Sequence, residues 1–262
     1  MRIAAAIAVL IAAAGPGAAQ EPMQQARSET FNQLPYWPGY WVGADQAGTP
    51  ISGINRPPGG TPAPAVNDVL AIWGTTAPWN DEGRRRVAEA LRTMGGRKGL
   101  GWGYPLMMTS PTPFQVLITP EEVLIVNGYN ETRHVYTDGR DHPAAEDLWP
   151  SATGNSVGHW EGDTLVIDTI MVTNPNEFFQ GGPPLSEQAH YVERLWLDGD
   201  TLRAEMTIED PVTLSGPWKA RLSWVRDTGF DRMIQVDWNN DRTGSEGDVN
   251  TIEPPVNEEE GQ

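Results

Sequence analysis

Four histidines, His134, His142, His159 and His190, fall in one stretch of a 262-residue chain that has no cysteine. Histidine is the ordinary acid or base near neutral pH and the commonest neutral metal ligand, so such a grouping points to proton transfer or to a metal centre. No two of them have the i, i+4 spacing of a helical metal site, nor the short alternation that sets two ligands on one strand face. No metal and no cofactor is therefore expected, and thiolate chemistry and disulfides are absent. Asp237, Asn239, Asp241 and Asp248 have the spacing of part of a calcium loop, but Arg242 stands where such a loop needs glycine. The Gly95 to Gly103 stretch contains Lys98 without the Gly-Lys-Ser/Thr order of a phosphate loop, and reads as a hinge or lid.

His190 is the most informative of the four. It opens a run in which His190, Val192, Arg194 and Trp196 alternate with Tyr191, Glu193, Leu195 and Leu197. With the histidine-bearing set inside a barrel, the interior is a polar, aromatic cavity suited to catalysis. With the other set inside, His190 is a surface residue. A second run, Thr164 to Val172, sets Asp168 on the same face as Val166 and Ile170. A carboxylate among branched apolar side chains is either a tuned acid or base or the partner of a neighbouring arginine. Asn174 and Asn176 follow that run and are expected at the same rim.

The elements that position these groups are short strands. Period-two patterns run over 114–119, 123–129, 132–137, 156–160, 164–172, 190–197, 201–209, 219–226 and 232–238, joined by turns such as Glu161-Gly162-Asp163 and Asp198-Gly199-Asp200. Strands in such close succession predict an all-β, antiparallel barrel of about eight or nine strands with up-and-down topology. Leu202, Ala204, Met206 and Ile208 give the clearest inward face. One helix is expected over about 81–94, capped by Asn80 or Asp81, with Arg84, Arg85, Arg86 and Arg92 on its solvated surface.

Residues 1–19, with Arg2, an apolar run from Ile3 to Ala14 and small residues up to Ala19, have the form of a cleaved secretory signal peptide. A periplasmic or secreted location follows, without stable membrane insertion. Residues 20–66 read as an extended arm carrying Tyr36, Trp37, Tyr40 and Trp41, residues 67–242 as the barrel domain, and 243–262 as an acidic disordered tail. A net charge of −17 disfavours nucleic acid and anionic membranes, and 11 tryptophans fit a small apolar or aromatic ligand.

Tyr136-Thr137-Asp138-Gly139-Arg140 with His142-Pro143, Ser156 to Val166 (including Trp160-Glu161-Gly162-Asp163-Thr164-Leu165-Val166), Ala189-His190, Glu193-Arg194, Glu209-Asp210-Pro211 and Pro217-Trp218 carry a resemblance. Over roughly residues 70 to 240 the chain resembles a large, mostly uncharacterised family of secreted bacterial proteins. The resemblance implies a lipocalin-like (calycin-type) β-barrel and carries no reaction. Relatives have cysteine near Leu100-Gly101-Trp102 and near Trp238, where this chain has none. Arg133, Asp168, His190, Glu193 and Arg194 are the polar positions of those motifs that turns do not require.

These residues support two expectations. As an enzyme, the protein moves protons as an isomerase, lyase, cyclase or hydrolase does. His190 carries the proton, Asp168 or Glu193 orients it, and Arg133 or Arg194 stabilises the developing anion. Trp160, Trp196, Tyr136, His159 and Asn174 contact the substrate. As a carrier, it holds a hydrophobic, aromatic or sugar-like ligand in the same cavity without turnover.

Overall fold

The computed structural model describes residues 29–44, 77–92, 102–110, 112–173, 183–233 and 235. Two compact units divide the chain, Met1–Leu34 and Pro35–Gln262. Of the first, residues 29–32 form a helical turn. The second carries the barrel. The expected signal peptide, Asn174 and the acidic tail lie outside the described residues.

Alternation of apolar and polar residues builds nine strands: β1 (Tyr40–Gly43), β2 (Phe114–Ile118), β3 (Glu122–Asn127), β4 (Thr132–Tyr136), β5 (Asn155–Glu161), β6 (Thr164–Ile170), β7 (His190–Asp198), β8 (Thr201–Glu209) and β9 (Trp218–Asp227). They form a closed barrel in sequence order, all-β and consistent with a lipocalin-like architecture. Leu202, Ala204, Met206 and Ile208 are buried as their spacing predicts. Glycines at positive φ, Gly162 (61°) and Gly199 (59°), make the tight β5–β6 and β7–β8 turns.

Three features differ from the sequence expectation. The ninth strand is β1, from the aromatic arm; of the expected 232–238 strand, Arg232, Met233 and Gln235 are described and lie outside any strand, and the rest lies outside the described residues. Trp41 and Val42 are buried, and β1 closes the barrel by pairing Tyr40 to Gly43 with Asp227 to Trp224 and Trp41 with Phe114. Four residues flanked by Pro38 and Gly39 are too short for a periodicity to show. Secondly, β4 and β5 pair in parallel through Val135↔Ser156 and Tyr136↔Val157, so the sheet is mixed. The long 137–154 connection supplies the crossover that parallel pairing needs. Thirdly, on β7 the buried set is Tyr191, Glu193 and Leu195, so His190, Val192, Arg194 and Trp196 face outward.

Large side chains make up much of the described core. Trp41, Trp218, Trp224, Tyr104, Tyr191, Phe114, Met107 and Met108 are all fully buried. Phe114 meets Trp224 edge-on at 5.4 Å, and Tyr104 meets Tyr191 at 5.0 Å.

The helix α1 (Asp81–Arg92) begins as expected, with Asn80 Oδ1 accepting the Gly83 N–H at 2.9 Å. Its arginines pair within the helix, Arg85 and Arg86 with Glu82. Gly83 packs so closely on the 210–217 loop that a Cβ there would sit 2.3 Å from the Thr213 carbonyl oxygen. Among the described residues, no helix is long and apolar enough to cross a membrane.

Candidate functional site

Two polar clusters stand on opposite faces of the same sheet. The inner one joins four strands. Arg133 on β4 donates through Nη2 to Glu193 Oε2 on β7 at 2.6 Å and to Thr169 Oγ1 on β6 at 2.8 Å. Its Nε reaches Ser156 Oγ on β5 at 3.2 Å, and its guanidinium lies 4.1 Å from the centre of the Tyr104 ring. The register assembles it, because Ser156 and Thr169 are cross-strand partners and Val135, two residues from Arg133, pairs with Ser156. Burial alone would lower the Arg133 pKa, but the charges and hydrogen bonds of Glu193 and Tyr104 together outweigh it and raise it. The Tyr104 hydroxyl is pushed well above its ordinary value by burial and by the Glu193 charge. Arg133 and Glu193 side chains are 1% and 2% exposed, so this cluster is sealed. Arg133 Nη1 has no hydrogen-bond partner among the described residues.

The outer cluster centres on Asp168 of β6. His190 at the start of β7 places Nε2 at 2.9 Å from both Asp168 oxygens. His142, brought over the sheet by the 137–154 connection, places Nε2 at 3.0 Å from Asp168 Oδ1 and Nδ1 at 2.6 Å from Asn155 Oδ1. The Asp168 and His190 side chains are 41% and 39% exposed. Each of the four histidines meets a carboxylate: His134 meets Glu122 and His159 meets Glu161, while Asp168 alone among the described carboxylates meets two.

His190 also lines a groove of about 440 Å³ on the outer face, with Gln188, Glu209 and the 210–217 loop. The floor of that groove is held by Asp210, 3% exposed. Asp210 accepts from the Ser186 N–H and hydroxyl at 2.7 Å each, the Val212 N–H at 3.0 Å and the Thr213 hydroxyl at 2.5 Å. Burial would raise its pKa; hydrogen bonds from Thr213, Ser186 and Val212 more than offset this and lower it. One carboxylate thus ties the 183–189 segment before β7 to the loop after β8.

The sequence-expected residues separate accordingly. Asp168 and His190 do meet, but outside the barrel. Glu193 and Arg133 meet inside it, away from solvent. Arg194 belongs to neither cluster: it faces outward and pairs with Glu161 at 2.6 Å, while its register partner Glu205 meets Arg221 at 3.4 Å. The physical reason is charge alternation across β5, β7, β8 and β9, a surface ladder. Trp160 packs on the core and stands edge-on to Trp37 at 5.5 Å. Trp196 lies half-buried on the outer face, His159 is exposed, and Tyr136 stacks between His134 and Arg140. None of these four lines the groove.

His142, Asn155 and Glu209 complete the outer site; His142 and Glu209 stand in sequence motifs already named, but nothing in the sequence placed any of the three beside Asp168 or His190. His142 sits in an irregular connection, where no periodicity assigns a face. Among the described residues, no group of three or more histidine and carboxylate side chains is placed to hold a metal ion. Neither a family model nor a curated protein matches the chain.

Proposed function

We propose that the protein is an enzyme that transfers protons on a small molecule held in the outer groove, with His190 as the proton carrier. One observation carries this reading: His190 Nε2 is fixed by both oxygens of Asp168 while the same imidazole lines a groove open to solvent. An ionised carboxylate accepts only, so Nε2 carries the hydrogen and Nδ1 presents the lone pair of a general base. Asp168 orients the ring and stabilises the imidazolium formed when Nδ1 takes a proton. His142 and Asn155 hold Asp168 from its other side, as positioning residues. An isomerase, lyase, cyclase or hydrolase step fits this equipment. The reading places substrate in the outer groove and not in the barrel interior, because His190 and Asp168 meet on the outer face of the sheet.

The sequence pattern of residues 1–19 supports export to the periplasm or beyond, and N-terminal sequencing of the mature protein near Gln20 tests it. The catalytic reading is tested by incubating the protein in deuterated water with a pooled set of small hydroxy, carbonyl and amino compounds. Proton NMR then shows which members gain deuterium or are converted. Exchange or conversion lost in His190→Ala supports the reading; activity undiminished in that variant removes it.

A further inference from the structure

We infer that the groove selects a cationic ligand, an organic ammonium with a compact apolar group, and that Glu209 is the residue that reads the charge. Glu209 of β8 is the register partner of His190 of β7, and both side chains stand on the outer face and line the groove. Directly opposed residues have Cβ atoms about 5 Å apart. Yet the two make no ion pair, because His190 turns Nε2 to Asp168 instead. The Glu209 side chain has no hydrogen-bond or ion-pair partner among the described residues, although Glu205, four residues away on the same face, is paired with Arg221. An imidazole and a free carboxylate therefore stand across a gap that a ligand group can enter.

The remaining lining sets the chemistry of the ligand. Pro211, Leu214 and Pro217 supply an apolar wall, and no lysine or arginine lines the groove. Beneath it lies Asp210, whose hydrogen bonds hold it ionised. With two carboxylates and no fixed cation, the groove favours a positive ligand and disfavours an anion, and the net charge of −17 adds in the same sense. The volume of about 440 Å³ admits one ring or a short chain. An ammonium group on Glu209 would set the adjoining carbon against His190.

The location of this subsite rests on the proposed role of His190, but its test reads binding and not turnover. Benzylamine, benzyl alcohol and benzoate present one ring with a positive, neutral and negative head. Their dissociation constants are measured by NMR titration of the full chain at neutral pH and low salt. The expected order is benzylamine at least about tenfold tighter than benzyl alcohol, with benzoate weakest. Glu209→Gln is expected to abolish the preference for benzylamine and leave benzyl alcohol unchanged, while Glu205→Gln keeps the preference. Circular dichroism and tryptophan fluorescence confirm that both variants are folded. Equal binding of the three compounds, no benzylamine binding at millimolar concentration, or a preference that survives in Glu209→Gln overturns the inference. Loss of turnover in His190→Ala with the benzylamine preference retained separates this subsite from the catalytic role.

Discussion

Glu193 and Asp168 are carboxylates on adjacent strands of one sheet, and each meets nitrogen donors from distant parts of the chain, yet they do opposite work. Glu193 points inward and pairs with Arg133 in a space filled by Tyr104, Ser156 and Thr169. Asp168 points outward and binds two imidazoles, one of which borders a groove. The side of the sheet, set by alternation and register, decides which becomes architecture and which stays available to a ligand. A paired charge inside a packed barrel is a condition of folding. The same chemistry outside, with one ring nitrogen uncommitted, is what the proposed proton transfer would use.

The largest effect is expected from breaking the inner pair. Glu193→Ala leaves the Arg133 guanidinium buried and uncompensated, which costs about 3–5 kcal/mol, seen as a fall in melting temperature on the order of 10 °C. Replacing both partners, Arg133→Met with Glu193→Leu, is expected to recover most of that loss, and turnover per folded molecule should stay unchanged. A Glu193 variant that is stable but inactive would move the site into the barrel.

Asp210 tests the groove floor. Asp210→Asn removes acceptor capacity from four donors and is expected to cost about 1–3 kcal/mol at neutral pH, measured by urea denaturation. Because the folded pKa of Asp210 is lowered, its contribution is present above the ordinary carboxylate range. It is lost as pH falls through the folded value, so the gap between wild type and variant should narrow below about pH 4. A gap constant from pH 6 to pH 3 would show that ionised Asp210 does not hold the loops.

Asp168→Asn should separate the two faces. The side chain is 41% exposed, so its loss is expected to change stability by less than about 1 kcal/mol. Turnover should fall by about 10² to 10⁴, as the imidazole loses the ionised partner that fixes its tautomer and stabilises the imidazolium. The smallest effect belongs to Arg194→Ala, which removes an exposed pair with Glu161: under about 1 kcal/mol in stability and no change in turnover. A Tm shift beyond a few degrees, or lost turnover, would restore Arg194 to the site.

The β8 strand was legible from sequence because its apolar and polar residues alternate without exception from Leu202 to Glu209. The β7 strand was not, because both of its faces carry charge: His190 and Arg194 on one, Glu193 on the other. Only Arg133, sixty positions earlier on β4, neutralises Glu193 and makes it the buried one, and such pairing leaves no local trace. The contact between Asp168 and His190 was anticipated, whereas its side of the sheet was not. His142 was noted among the histidines, but its place beside Asp168 was not foreseen, for a different reason. The parallel β4–β5 pairing that brings its loop over Asp168 depends on a crossover that turn chemistry does not announce. Likewise β1 is hidden by its proline and glycine flanks, although Trp41 is among the most buried residues described.

The most direct measurement is the melting temperature and the solvent-deuterium exchange of the same His190→Ala protein. An outer-face proton carrier predicts a melting temperature within a few degrees of wild type and exchange or turnover lower by about 10² to 10⁴. A variant that melts much earlier but retains normal turnover per folded molecule would make His190 a structural residue and contradict the account.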